Sequence, residues 1–304
     1  MKREIKNLPA SVLARLKNHA DAKNRTFNEV LTYYGLERFL YRLSKSEDAD
    51  QFVLKGALVM LTWSRGPARS TRDIDLSTSM EPGVEVVTET IKQICAIHVE
   101  PDGVEFDADS VRGEEIVERA AYPGVRVRID GQIGNAQIHI QVDIAFGEMI
   151  VPQPETVDFP TILDFPAPRL KAYRPETIVA EKLEAIVQLG EINTRMKDFY
   201  DLFTIAGLLE IDGTLLVEAI KTTFSARHTD IPDVTPAGLT AGFGSRHEPE
   251  WRAFLDRIAE DSKGFSTLSQ VIEELRSFTE PAIRAARTEE FFDMSWKPGQ
   301  GWTR

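Results

Sequence analysis

The stretch RSTRDIDLSTS, Arg69 to Ser79, carries two aspartates one residue apart at the end of an arginine-rich approach. Read as a strand, TRDIDLST places Asp73 and Asp75 on one face and turns Ile74 to the other, because side chains two apart on a strand share a face. Two carboxylates side by side repel unless a cation joins them. Mg²⁺ takes oxygen ligands from one or two carboxylates together with substrate phosphates, which suits such a pair. The pattern alone is common, and its plain alternative is the polar edge of a strand. Arg65, Arg69 and Arg72 lie within eight residues of one another beside it, either as phosphate or acceptor contacts or as a solvated charged loop.

Upstream, apolar residues from Leu8 to about Ser46 recur at three- and four-residue spacing and predict two helices, the second opened by Thr26 as N-cap with Glu29 completing a capping box. A polar connector follows. FVLKGALVMLTW from Phe52 begins apolar, turns at Lys55-Gly56 and continues as a helix until Gly66-Pro67 breaks it. Downstream, VEVVTETIKQICAI from Val84 reads as a helix. GVRVRID from Gly124 and AQIHIQVDIAFG from Ala136 alternate as strands joined by the hairpin signal GQIGN.

A proline-rich crossing at about residues 151–170 ends the alternation, and helical patterns are expected over Pro175–Leu189, Thr194–Leu209, Gly213–Phe224, Pro249–Ala259 and Ser266–Phe278. The expected organisation is an α/β (α+β) chain with N-terminal helices and a sheet-bearing core over residues 1–165 and a helical domain over 166–304.

Three further positions bear on chemistry. In IQVDIAF, Asp143 puts a carboxylate into a strand otherwise suited to burial; it is either the exposed face of an edge strand or, beside Asp73 and Asp75, a third acidic group for metal binding or proton removal. In ETIVAEKLEAIVQL, Lys182 lies in the apolar stripe of Ile178, Val179, Leu183, Ile186 and Val187, where it meets an anion, either a nucleotide phosphate or a structural ion-pair partner, or else only buries its stem and snorkels its ammonium to solvent. In TRMKDFYDLFTIA, Asp198 and Asp201 sit beside Lys197, and an i, i+4 pairing of Lys197 with Asp201 on the helix surface accounts for them equally well.

Composition narrows the classes. A formal net charge of −12 argues against a protein that coats nucleic acid, though it leaves room for a local basic cleft. The longest apolar runs fall far short of the ~20 residues of a membrane helix, and MKREIKNLPASVL lacks a signal core, so a cytoplasmic chain without a membrane partner is expected. Cys95 is the single cysteine, which excludes an intrachain disulfide. No HExxH or Cys/His metal spacing, G-x-S-x-G elbow, P-loop or G-x-G-x-x-G fingerprint is present.

In order, GLERFLYRLSKS, FVLKGALVML, RSTRDIDL, ETIVAEKLEAI and RMKDFYDLF, with EWRAFLDRI in the helical tail, resemble the AbiEii/AbiGii family of nucleotidyltransferase-like toxins of type IV toxin–antitoxin systems. The resemblance implies a polymerase-β-like nucleotidyltransferase core and a helical C-terminal domain. It also implies Mg²⁺-dependent transfer of a nucleotide from an NTP, in characterised relatives to the 3′ end of tRNA, which blocks translation. A role in phage defence and a cognate antitoxin encoded nearby are implied too. By position, Lys55-Gly56 matches the family's turn, Arg69, Thr71, Asp73 and Asp75 its metal motif, Lys182 its motif lysine, and Asp198 or Asp201 its late aspartate; Arg72 is a further phosphate or acceptor contact. The superfamily more often has Gly-Ser or Gly-Gly at the turn. Gly56-Ala57 here leaves phosphate binding to backbone N–H groups and the helix N-terminus. The alternatives are transfer to a small molecule or a protein hydroxyl, and a catalytically silent binding module.

Overall fold

The structure, a computed structural model, describes residues 7–63, 71–116, 124–258 and 265–304. Packing divides the chain into two compact units, residues 1–148 with 155–172, and residues 149–154 with 173–304. In the first, α1 (Leu8–Ala22), α2 (Phe27–Leu43), α3 (Gly56–Trp63) and α4 (Val84–Cys95) accompany β1 (Phe52–Lys55), β2 (Asp73–Thr78), β3 (Glu105–Glu115), β4 (Gly124–Ile133), β5 (Ala136–Phe146), β6 (Glu155–Asp158) and β7 (Arg169–Ala172). These strands form one mixed sheet in the order β3-β4-β5-β2-β1-β7-β6.

Local chemistry explains the elements that set this sheet. Thr26 caps α2 by accepting from the Glu29 N–H, while the Glu29 carboxylate pairs with Arg25 instead of closing the capping box. On β5, Ile138, Ile140, Val142, Ile144 and Phe146 are all buried, and α2 packs on that apolar face. The approach is close: a Cβ on Gly35 of α2 would lie 2.5 Å from Ile138 Cγ2.

Two features of this unit depart from expectation. The proline-rich crossing supplies β6 and β7, and the first unit runs past residue 165 because β7 pairs in parallel with β1, Val53 opposite Lys171 and Leu54 opposite Ala172. Pro154, Pro160, Pro166 and Pro168 all lie outside the two strands, where a missing N–H breaks no ladder bond, and four-residue strands are too short to show a period. The acidic edge strand β3 was also not expected; only Val111 is fully buried, and its half-buried positions include just two apolar side chains, Phe106 and Ala108, too few to mark a strand by alternation.

The same crossing is tied to α2 by buried polar contacts. The Ile162 N–H donates to Glu37 Oε2 at 2.7 Å, Arg38 Nη2 donates to the Pro166 carbonyl at 2.9 Å, and Arg38 is fully buried among Tyr34, Tyr41 and Phe165. Burial pushes the Glu37 carboxyl up from 4.5 to about 7, although Arg38 and the Ile162 N–H act in the opposite sense. A raised carboxyl contributes stability that is complete below its unfolded value and lost as pH rises through its folded value. Stability is therefore expected to fall between pH 4.5 and about 7. Glu37→Gln should flatten that slope in denaturant titrations at a series of pH values, and an unchanged slope would assign it to another group.

The second unit contains α5 (Pro175–Leu189), α6 (Met196–Leu208), α7 (Gly213–Ala226), α8 (Ala241–Arg246), α9 (Glu248–Arg257) and α10 (Leu268–Thr288). A small sheet of β8 (Ile211–Asp212), β9 (Ser295–Lys297) and β10 (Gly301–Thr303), in the order β10-β9-β8, corrects the expectation of helices alone to the end. Trp296 and Trp302 hold it against Phe278, with ring centroids 4.9 and 6.1 Å away. α10 continues through Pro281 ten residues past its expected end at Phe278. An interior proline costs about 3 kcal/mol. Buried Leu275 and Phe278 before it and Ala282, Ile283 and Ala286 after it supply the packing that offsets this. No helix among the described residues is long and apolar enough to cross a membrane.

Candidate active site

The first unit's sheet sets its polar groups in one row. Lys55 on β1 lies opposite Asp75 on β2, Asp75 lies opposite Asp143 on β5, and Asp143 lies opposite Arg126 on β4; Asp73 falls opposite Gln141. Ile74 and Leu76 face the other way and are fully buried, while Asp73 and Asp75 are half-buried. The strand reading of RSTRDIDLSTS thus holds over Asp73–Thr78, and the edge-strand alternative for Asp143 does not, since β5 runs between β4 and β2.

Each end of the row is an ion pair. Arg126 grips Asp143 with both arms of its guanidinium, Nε to Oδ1 at 2.8 Å and Nη2 to Oδ2 at 2.7 Å. Lys55 Nζ donates at 2.5 Å to Glu148 Oε1, just beyond β5. Sequence reasoning singled out neither Arg126 nor Glu148. For Arg126 a signal existed: with the hairpin turn at Gly134-Asn135, Ile133 opposes Ala136, and the same register carried back sets Arg126 opposite Asp143. For Glu148 none did, because it follows the strand and reaches Lys55 only through the fold.

Gly56 connects β1 to α3 at the same place. Its φ is +69°, and a Cβ there would fall 2.1 Å from Asp75 Oδ2 and 2.8 Å from its Cγ. The turn therefore admits glycine for conformation and for space, and it brings the first turn of α3 against Asp75. Gly56→Ala is expected to displace the Asp75 side chain and to destabilise the first unit by about 1–3 kcal/mol. A denaturant titration matching the unaltered chain would refute this.

Thr71 lies two residues before Asp73 and offers its hydroxyl to the Asp73 carbonyl at 3.5 Å; its N–H faces Tyr33 Oη at 3.4 Å. Arg72 is exposed. Arg65 and Arg69 lie outside the described residues. Among the described residues, no three His, Cys, Asp or Glu side chains converge as a ligand set. A cation placed on this strand face would meet a donor set of Asp73 and Asp75 oxygens, with the Gly56 turn packed against Asp75. That set suits a hard, oxygen-seeking ion such as Mg²⁺ that completes its shell with water and phosphate.

Lys182, Asp198 and Asp201 meet in the second unit. Lys182 Nζ on α5 donates to Asp198 Oδ1 at 3.1 Å and to Asp201 Oδ2 at 2.7 Å on α6, and Arg195 Nε donates to Asp198 Oδ2 at 2.7 Å. Both aspartates are fully buried and Lys182 nearly so, whereas Lys197 is exposed. The helix-surface pairing of Lys197 with Asp201 is thereby corrected: the interior lysine, not the surface one, meets the carboxylates. Burial alone would raise the Asp198 pKa, but the Lys182 and Arg195 charges outweigh it and hold the group below 3.8.

The family model described as "Nucleotidyl transferase AbiEii toxin, Type IV TA system" matches residues 38–287. JHP933 from Helicobacter pylori is a similar solved structure, with 14% identity and a TM-score of 0.43 over 83% of this chain and 89% of that one. A candidate nucleotidyltransferase from H. pylori aligns at the same identity and TM-score, over 83% of this chain and 92% of its own. No curated protein matches the chain.

Proposed function

Because the chain belongs to the AbiEii family of nucleotidyl transferase toxins of type IV toxin–antitoxin systems, we propose that it transfers a nucleotide from an NTP to the 3′ end of tRNA in a Mg²⁺-dependent reaction that blocks translation in the cytoplasm. The family implies an NTP substrate and a cognate antitoxin; we place the antitoxin gene nearby and the biological role in phage defence. The observation that carries the reading is the pairing of Asp73 and Asp75 on one strand face with the Gly56 turn pressed against Asp75.

In this mechanism Asp73 and Asp75 would hold the Mg²⁺, whose charge offsets that developing on the NTP phosphates during in-line displacement at the α-phosphate. Backbone N–H groups in the first turn of α3, opened by Gly56, face phosphate oxygens, since a helix N-terminus favours anions. Lys55 adds positive charge at the same row, held by Glu148. Arg72, with Arg69 and Thr71, contacts phosphate or the acceptor. Lys182 is required for transfer, its ammonium carried by Asp198 and Asp201. Proton removal from the acceptor hydroxyl by Asp143 or by Asp201 requires release from a cation first, Arg126 in one case and Lys182 in the other.

Incubating the purified chain with each labelled NTP and total RNA, then resolving RNA, protein and small molecules, tests the assignment. Label on tRNA 3′ ends is expected. The net charge of −12 favours one second reading, transfer to a small molecule or a protein hydroxyl, which predicts label in those fractions instead.

A further inference from the structure

β5, β4 and β3 continue the sheet outward from Asp73, and the face they share with it is open: Arg112, Arg128, Gln132, Gln137 and His139 are all exposed. Register lines four residues across the strands, Asp73 opposite Gln141, Gln141 opposite Arg128, and Arg128 opposite Arg112. At about 4.8 Å per strand, Arg128 lies about 10 Å and Arg112 about 14 Å from Asp73 along this row. Like charges directly opposite one another on neighbouring strands destabilise a sheet. Local carboxylates do little to relieve this pair. Arg112 forms no ion pair among the described residues, and its Nη1 donates only to the carbonyls of Asp109 and Val111. Arg128 Nη2 meets Glu114 Oε1 at 2.8 Å, but the two side chains are 57% and 51% exposed, and an ion pair so open to water yields readily to a stronger anion. The acids on either side, Asp143 and Asp130, already engage Arg126 and His139. Two guanidinium groups side by side suit phosphate, whose oxygens their forks match. The Gly56 turn, where the triphosphate is placed above, lies on the β1 side of β2, whereas Arg128 and Arg112 lie on its β5 side. That leaves their side of the row for the acceptor.

We propose that Arg128 and Arg112 bind the phosphodiester backbone of the acceptor RNA just inside its 3′ end and lead that end along the row to Asp73. The inference deepens the RNA-acceptor reading above and rests on it. Glu114 competes with the RNA for Arg128.

Labelled-NTP transfer by the full chain into total tRNA, measured over a series of salt concentrations, reads the contact. Arg128→Gln and Arg112→Gln should each raise the KM for tRNA about tenfold, the loss of one charge-assisted contact, and leave the KM for NTP as it was. Each should also flatten the fall of log kcat/KM for tRNA with log salt by roughly 0.7, the share of one phosphate on a single strand. Arg128→Lys, which keeps the charge, should keep the slope. Glu114→Gln should act in the opposite sense and lower the KM for tRNA. All these positions are exposed, so the denaturation midpoint should stay in place. Unchanged tRNA KM and salt slope in both glutamine variants would overturn the inference and leave RNA as the acceptor. A rise in the NTP KM alone would assign the arginines to the triphosphate and overturn it too, as would an equal rise of the tRNA KM in Glu114→Gln, the mark of a structural role. No label on tRNA with the unaltered chain would overturn the tRNA reading and this inference together.

Discussion

Asp73→Asn and Asp75→Asn are each expected to lower nucleotide transfer about a thousandfold, the effect of removing several kcal/mol of transition-state charge stabilisation. Both side chains are half-buried on a strand whose other face carries the packing of Ile74 and Leu76, so an isosteric amide should leave the fold in place. Far-ultraviolet circular dichroism and the denaturation midpoint check the fold. Labelled-NTP transfer and growth arrest on expression check the chemistry. Full transfer by either variant would remove the aspartate pair from the mechanism. Of the two, Asp75 is packed against Gly56 and opposite Lys55, so its variant should also loosen the turn that opens α3.

Lys182→Ala is expected to do something different: to destabilise the second unit by about 3–5 kcal/mol, because it takes from the interior the cation that Asp198 and Asp201 share and leaves only Arg195, at the edge, against Asp198. Asp198 and Asp201 are both fully buried, and Lys182 is the cation that bridges them. Loss of activity in this variant alone would therefore say little about substrate contact. A triple variant, Lys182→Met with Asp198→Asn and Asp201→Asn, removes the charges together and should recover much of the stability in a denaturant titration. If transfer stays absent in the recovered chain, the network serves the reaction; if it returns, the network serves only the fold.

The acid limb offers a second reading of the same network. The Asp198 carboxyl is held below 3.8, so its contribution is present above that value in the folded chain and is lost as pH falls through the depressed folded pKa. In Lys182→Ala this acid-side loss should shrink, since the larger of the two charges that hold the group down is gone and only Arg195 remains. A melting-temperature series at falling pH would show it, and an identical acid limb in both chains would contradict the assignment.

How far the sequence reaches differs from element to element. α5 was legible to the residue, because Pro175 suits the first helical turn and the apolar stripe runs unbroken to Leu189. β4 and β5 were legible because ten- and eleven-residue strands show their alternation clearly. β6 and β7, four residues each, were not, and neither was β3, an exposed acidic edge. α10 was cut short at a proline that its neighbours' packing overrides.

For the candidate site, the chain by itself determined that Asp73 and Asp75 share a strand face, that a glycine turn opens a helix before them, and that Lys182 lies in an apolar helix stripe; each follows from periodicity within a single element. Only the tertiary structure decided the rest. Partners such as Glu148 for Lys55, or Asp198 and Asp201 for Lys182, are chosen by strand order and helix packing between segments distant in sequence, and no local pattern encodes that choice. Even the Arg126–Asp143 pair, implicit in a hairpin register, acquired its meaning from β2 taking its place beside β5, which sets Asp75 next to a carboxylate already held.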